Sequence, residues 1–342
     1  MIAYKFRSGR GTLDCEGNDV FERDIDLLSR DTIYVPTVAQ LNDPAEAFVD
    51  DSVFRFILDF LKKLGPKDSV KLVEESFRNL YDRIRSSGIY SLTKKINNEL
   101  MWAYYASGHC GYAVIFDTEV LSKSFNYGEW GGMYELDMNY SFKLPRFDIN
   151  KVTKNDFVKV LSCFVGYKSK AWAHEEEHRL VFDKGGDCLK IDFRAIKGFV
   201  FGCRMKEEDI DYVMKTFSGR DYVYFKVVLK DGSYKLSLKE LTDKYPTSVK
   251  YSPNNVVYDI EALLEGDKFS GGVGDKYRSF VEEALREVSK EPFVTGIYIL
   301  LVTDDKEYPN ILIWANIKQD GNFRPVRSFE YEIREGRIVR TK

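Results

Sequence analysis

Residues 2–7, IAYKFR, alternate as a half-buried strand does, and DTIYVPT at 31–37 reads as a second strand that ends at Pro36. The stretch between them is acidic and polar and reads as a loop. In LNDPAEAF, Asn42-Asp43-Pro44 is a turn signal able to open a helix, because Asp caps and proline suits the first turn. Apolar residues then recur at helical spacing through 52–86. Gly65-Pro66 ends one helix, and Asp68 or Ser69 caps the next.

GIYSLT (88–93) predicts a strand, NNELMWAYYAS (97–107) a short helix and GYAVIFD (111–117) a buried strand. YELDMNYSF (134–142) is again strand-like, and KNDFVKVLSCFVGYKSKAW (154–172) has helical spacing. HRLVFDKGGDCLKIDF (178–193) reads as two strands joined by a Gly-Gly turn. A strand (196–202), a helix (206–219) and a hairpin around Asp231-Gly232 follow.

Pro, Gly, Ser and Asn concentrate near 245–275, which marks a linker. Beyond it come one amphipathic helix, YRSFVEEALREVSK, two apolar strands, an Asp-Gly turn at 320–321 and SFEYEIREGRIVR. The pattern predicts an α+β chain. Residues 1–245 form a domain with a mixed or antiparallel sheet and a helical insertion, 246–275 a linker, and 276–342 a small domain of one helix on an antiparallel sheet.

With 342 residues, 44% hydrophobic and 15% aromatic, the chain can supply sizeable cores. Lys+Arg 51 against Asp+Glu 54 leaves −3, so no global basic field draws nucleic acid, and a nuclease or RNA-binding role has no support from charge. The 5 cysteines include no C-x-x-C pair and are read as reduced thiols. No targeting segment and no apolar run of the ~20 residues needed to span a bilayer is present, so a cytoplasmic location and no membrane partner are expected.

Inside AWAHEEEHRL (171–180), His174-Glu175-Glu176-Glu177-His178 matches the H-E-x-x-H pattern of zinc peptidases. That chemistry needs both imidazoles on one face of a helix. Alternation through 172–182 instead predicts a strand, with Trp172, His174, Glu176 and His178 on one side and Glu175, Glu177 and Arg179 on the other. No metal is expected, and the weight moves to the glutamate face.

Several stretches resemble one bacterial family, the domain of unknown function numbered 2971: YKFRS at 4–8, IYVPTVAQLNDPAE at 33–46, SLT at 91–93, LMWAYYASGHCGYAVIFD at 100–117 and KSKAWAHEEEHRLVF at 168–182. The likeness covers about residues 1–240. It marks Lys5, Arg7, Asn42, Asp43, Glu46, Met101, Trp102, Tyr105, His109, Gly111, Lys168, Trp172, Glu175, Glu177 and Arg179. Tyr104 stands where the family usually has histidine, and neither His174 nor His178 belongs to its pattern. The resemblance implies no activity. Its members look like accessory or effector genes, often linked with phage defence.

More distantly, Arg7, Ser91-Leu92-Thr93 and Glu175-Glu176-Glu177 are similar to the Arg, Ser-Thr-Ser and Glu-x-Glu triad of arginine-specific ADP-ribosyltransferases. That resemblance implies NAD as co-substrate. Arg7 would pair with its phosphates, Ser91 and Thr93 would position ribose, Glu177 would stabilise the developing positive charge and Glu175 would deprotonate the acceptor. Repulsion between the glutamates is expected to raise one of their pKa values. His109 is a further acid–base candidate. Lys5, Tyr34, Asn42, Trp102, Tyr105, Lys168, Trp172 and Arg179 complete the expected ligand-binding set, with Tyr34 or Trp102 to stack on nicotinamide. The alternative class is a non-catalytic sensor of a nucleotide-like molecule, with a protein partner on 276–342.

Overall fold

The computed structural model describes residues 1–64, 67–125, 133–147, 157–254, 256–304, 307–318 and 326–342. Its contacts form two compact units, the first running to Thr247 and the second from Ser248.

Unit one is built on β1 (Ile2–Arg7), β2 (Thr32–Val35), β3 (Gly88–Thr93), β4 (Tyr112–Asp117), β5 (Met133–Asp137), β6 (Asn139–Ser141), β7 (Tyr167–Ser169), β8 (Glu177–Phe182), β9 (Asp187–Lys190), β10 (Ile196–Phe201), β11 (Val223–Leu229) and β12 (Leu236–Leu241). Eight of them make one sheet, in the order β12-β11-β10-β4-β1-β3-β8-β5. Its neighbours are antiparallel except β10 and β11, whose parallel pairing needs a crossover, supplied by the helix Glu207–Thr216. Alternation along the strands separates two apolar layers. Tyr90, Leu92, Leu180 and Phe182 pack with the helices Val20–Ser29 and Glu207–Thr216, while Ile89 and Val181 join Phe54, Ile84 and Phe164 on the helical insertion.

Four local readings are corrected. The polar stretch after β1 contains the helix Val20–Ser29: Asp19 caps it by accepting from the N–H groups of Phe21 and Glu22, and Phe21, Ile25 and Leu28 form its buried stripe. Asn42-Asp43-Pro44 makes a turn, with Asp43 accepting from Ala45 N at 2.9 Å, and starts no helix. The Gly-Gly pair does not close a hairpin, because β8 pairs with β3 and β5 whereas β9 pairs with β2. Its small size serves close approach: a Cβ on Gly185 would sit 2.5 Å from Gly88 Cα. Residues 172–176 are not strand, since a 3₁₀ turn occupies Lys170–Glu175 and β8 starts only at Glu177.

Unit two carries β13 (Val294–Thr303), β14 (Asn310–Ile317), β15 (Val326–Arg334) and β16 (Arg337–Arg340), an antiparallel sheet in chain order. The helix Arg278–Ser289 buries Val281, Ala284, Leu285 and Val288 in a core with Leu300, Ile311, Ile313 and Phe329. A second helix, Ile260–Phe269, forms within the stretch read as linker, and its Leu263 and Leu264 enter the same core. The turn expected at 320–321 lies outside the described residues. The fold is α+β, a large mixed sheet with helices plus a separate four-stranded antiparallel sheet. Among the described residues no helix is long and apolar enough to cross a membrane.

Candidate functional site

β1 and β3 are neighbours in the large sheet, but their register is the single pair Tyr4↔Thr93. Away from it a side chain bridges the strands, with Lys5 Nζ donating to Ser91 O at 2.8 Å. Next to this junction is a cavity of ≈ 130 Å³. β1 contributes Tyr4, Lys5 and Phe6, β3 contributes Ser91, Leu92 and Thr93, and β8 contributes Glu177 and Arg179. Asn42 and Glu46 close it from the turn before the helical insertion, Met101 and Tyr105 from the helix Glu99–Tyr105, and Lys168 and Glu175 from β7 and the 3₁₀ turn.

The turn decides where the glutamates point. Thr93 Oγ1 donates to Glu175 O at 2.6 Å and Asn98 Nδ2 to His174 O at 2.5 Å, so the turn is pinned to its neighbours. Glu176 then takes a left-handed conformation, φ 42° and ψ 50°, and its side chain pairs outward with Lys95. On either side of that kink Glu175 and Glu177 both turn inward, at 3% and 6% exposure. Lys168 Nζ bridges them, 2.6 Å from Glu175 Oε2 and 3.2 Å from Glu177 Oε2.

Arg179, with no exposed surface, organises the floor. Its Nε donates to Glu177 Oε1 at 2.8 Å, Nη2 to Glu177 Oε2 at 3.1 Å, and Nη1 to Glu46 Oε1 at 2.5 Å and Val165 O at 2.8 Å. This two-pronged hold fixes the Glu177 carboxylate in one plane. Tyr140 OH accepts from Glu177 N at 2.8 Å. Glu175 receives the Tyr105 hydroxyl, which itself accepts from Asn42 Nδ2 at 3.0 Å. The Trp172 ring lies 5.1 Å from Lys168 Nζ and walls it off.

Burial pushes the Glu177 carboxyl up, but Arg179 and Lys168, helped by the Ser91 hydroxyl, outweigh it and bring its pKa down to about 2. The raised glutamate expected from mutual repulsion is therefore not found at Glu177. Lys168 is held above the ordinary lysine value: burial opposes its charge, and Glu177 and Glu175 overcome that. Lys5 behaves oppositely, since burial and then the Arg7 charge lower it to about 7.

The structure thus gathers Lys5, Asn42, Ser91, Thr93, Tyr105, Lys168, Glu175, Glu177 and Arg179 around one cavity, with Trp172 behind Lys168. Besides Trp172, it leaves four expected residues outside that lining. Arg7, beyond Lys5 on β1, faces buried Asp24, its Nε 3.3 Å from Oδ2. Trp102 is fully buried, donates Nε1–H to Ile96 O at 2.6 Å and meets Phe6 edge-on, so it offers no free stacking face. His109 has φ 71° and stacks on Trp102 at 6.3 Å; burial and the Arg204 charge lower its pKa. Tyr34 sits on β2, its hydroxyl bonded to Gln40.

His174 and His178 fall on opposite sides of the kink. His174 Nδ1 lies 3.0 Å from Ala171 O, and His178 Nδ1 lies 2.7 Å from Asp137 Oδ1, so the one-turn helical pair of a zinc peptidase does not form. Glu46, marked by the family resemblance but not placed in the expected ligand set, and Tyr140 also join the site. For Glu46 the signal was its place in Asn-Asp-Pro-x-Glu; for Tyr140 the sequence held none, because its contact spans 37 residues.

No curated protein and no solved structure matches the chain. Residues 101–180, the segment that supplies Met101, Tyr105, Lys168, Glu175, Glu177 and Arg179 to the cavity, match a family described as "Protein of unknown function (DUF2971)".

Proposed function

We propose that unit one breaks the N-glycosidic bond of an NAD-type nucleotide, as an ADP-ribosyltransferase-like effector of the phage-defence kind. The observation that carries this reading is the convergence of Ser91, Glu175 and Glu177 on one cavity whose central carboxylate is held ionised. A cavity of ≈ 130 Å³ takes one ring-sized group, which suits the nicotinamide-ribose end of such a molecule rather than the whole of it.

In this reading the bond between ribose C1′ and the nicotinamide nitrogen breaks, and its electron pair leaves with nicotinamide. Glu177, fixed by Arg179 and Ser91, faces the positive charge that develops on the ribose. The acceptor oxygen or nitrogen, or water, forms the new bond to C1′ and gives its proton to Glu175, which Lys168 and Tyr105 hold in place. Lys5 replaces Arg7 as the cation for the ligand's phosphate, since Lys5 lines the cavity and Arg7 is committed to Asp24.

One observation favours the sensor reading instead: Glu46, Glu175 and Glu177 already have cationic partners, so the pocket is electrostatically satisfied before any ligand arrives. Incubation of the full chain with NAD separates the two. Nicotinamide release that falls ~10³-fold in Glu177→Gln supports the enzyme. Saturable NAD binding with no release, in a protein whose unfolding curve is intact, supports the sensor. Ser91→Ala, a milder change, is expected to slow release without affecting folding.

A further inference from the structure

In the helix Ser52–Leu64, Phe54 and Leu58 turn to the core of unit one, where Phe54 stacks on Phe77 at 4.1 Å. A second apolar stripe lies on the same helix: Val53, Phe56, Ile57, Phe60 and Leu61 recur at the spacing of one helical face, and each is between 38% and 74% exposed. Arg55, Asp59 and Lys62 take the remaining arc, with Arg55 Nε 2.8 Å from Asp51 Oδ1 and Lys62 Nζ 2.7 Å from Glu74 Oε1. Folding of the chain leaves the stripe in water, an unfavourable exposure that a partner removes. None of its residues lines the charged cavity.

We propose that this stripe is the contact between two copies of the chain, which pack their Ser52–Leu64 helices antiparallel about a two-fold axis. Charge selects that occupant. The helix has acid at its start, Asp50 and Asp51, and base at its end, Lys62 and Lys63, so antiparallel packing sets each end against its opposite in the other copy and opposes the two helix dipoles. Asp51 and Lys62 are already paired within the chain, which leaves half-buried Asp50 and exposed Lys63 to meet across the contact. The stripe is also self-complementary in register. With the axis between residues 56 and 57, Val53 of one copy meets Phe60 of the other, while Phe56 and Ile57 each meet their own counterparts. A bilayer surface would favour cations on both flanks, whereas acidic Asp50 and Asp59 stand beside this stripe. The inference goes beyond the glycosyl-transfer reading and does not depend on it.

Sedimentation velocity of the full chain across a concentration series tests it. Expected are a shift from one chain mass to two, self-association weakened at least about 100-fold in Phe56→Glu, and a milder weakening of about three- to tenfold in Lys63→Glu. Phe269→Glu, at a side chain 95% exposed in unit two, should leave the dimer unchanged, and circular dichroism should show each variant folded. A monomer at every concentration overturns the proposal, and so does a dimer that survives Phe56→Glu, is indifferent to Lys63→Glu or is lost in Phe269→Glu. Phe56-dependent binding of a monomer to phosphatidylglycerol vesicles overturns it as well. No NAD enters these measurements, so their failure is distinct from failure of the transfer chemistry.

Discussion

In unit two the buried acid Asp267 ends on backbone: Oδ2 accepts from Gly274 N at 2.7 Å and Oδ1 from Val302 N at 2.6 Å. In unit one the buried acid Glu177 ends on charge, between Arg179 and Lys168. The first arrangement ties a helix end to a strand and explains itself through folding. The second gathers several ions in one place, where apolar side chains of similar volume would often be as stable or more so. Folding gives no reason for Glu46, Lys168, Glu175, Glu177 and Arg179 to surround a cavity, and that excess is what marks the site.

The contrast can be broken by deletion. Arg179→Met strands Glu177 and Glu46 without their guanidinium and is expected to cost about 3–5 kcal/mol, read by denaturant unfolding. Asp267→Ala leaves two buried N–H groups without an acceptor and is expected to cost about 2–3 kcal/mol, with loss of amide-exchange protection at Val302. If Arg179→Met proves neutral, the cluster is ordinary packing and the comparison fails.

Titration sharpens it. The folded pKa of Glu177 is depressed from 4.5 to about 2, so its stabilisation is present above pH 4.5 and is lost as pH falls towards 2. Exchange protection along β8 should fade across that window, and Glu177→Gln should flatten the dependence. The smallest effect belongs to Lys5, which loses its proton as pH rises through about 7. Affinity for an anionic ligand in the charged cavity should fall by up to tenfold per pH unit above that point, and Lys5→Met should remove the slope.

Strand periodicity made β1, β3, β4 and β10 readable, because each alternates or runs apolar between turn signals. The helix Val20–Ser29 was hidden by the acidic residues around its short apolar stripe, and Ile260–Phe269 by the Gly- and Ser-rich sequence that follows it. Chemistry was legible to the extent that it followed strand parity: Ser91 and Thr93 with Glu177 and Arg179 meet across paired strands. Arg7 failed because parity gives a face but not a partner, and only the fold brings Asp24 to it. The inward turn of Glu175 depends on the left-handed Glu176, a conformation that glutamate does not signal.

In the proposed reaction Glu177 faces a ribose carbon during bond cleavage. The most direct measurement of that role is single-turnover release of nicotinamide from NAD labelled in that ring, for the native chain and Glu177→Gln at equal folded concentration. Release by the native chain and a ~10³-fold slower rate in the variant are expected. No release by the native chain, or equal release by both, contradicts that role.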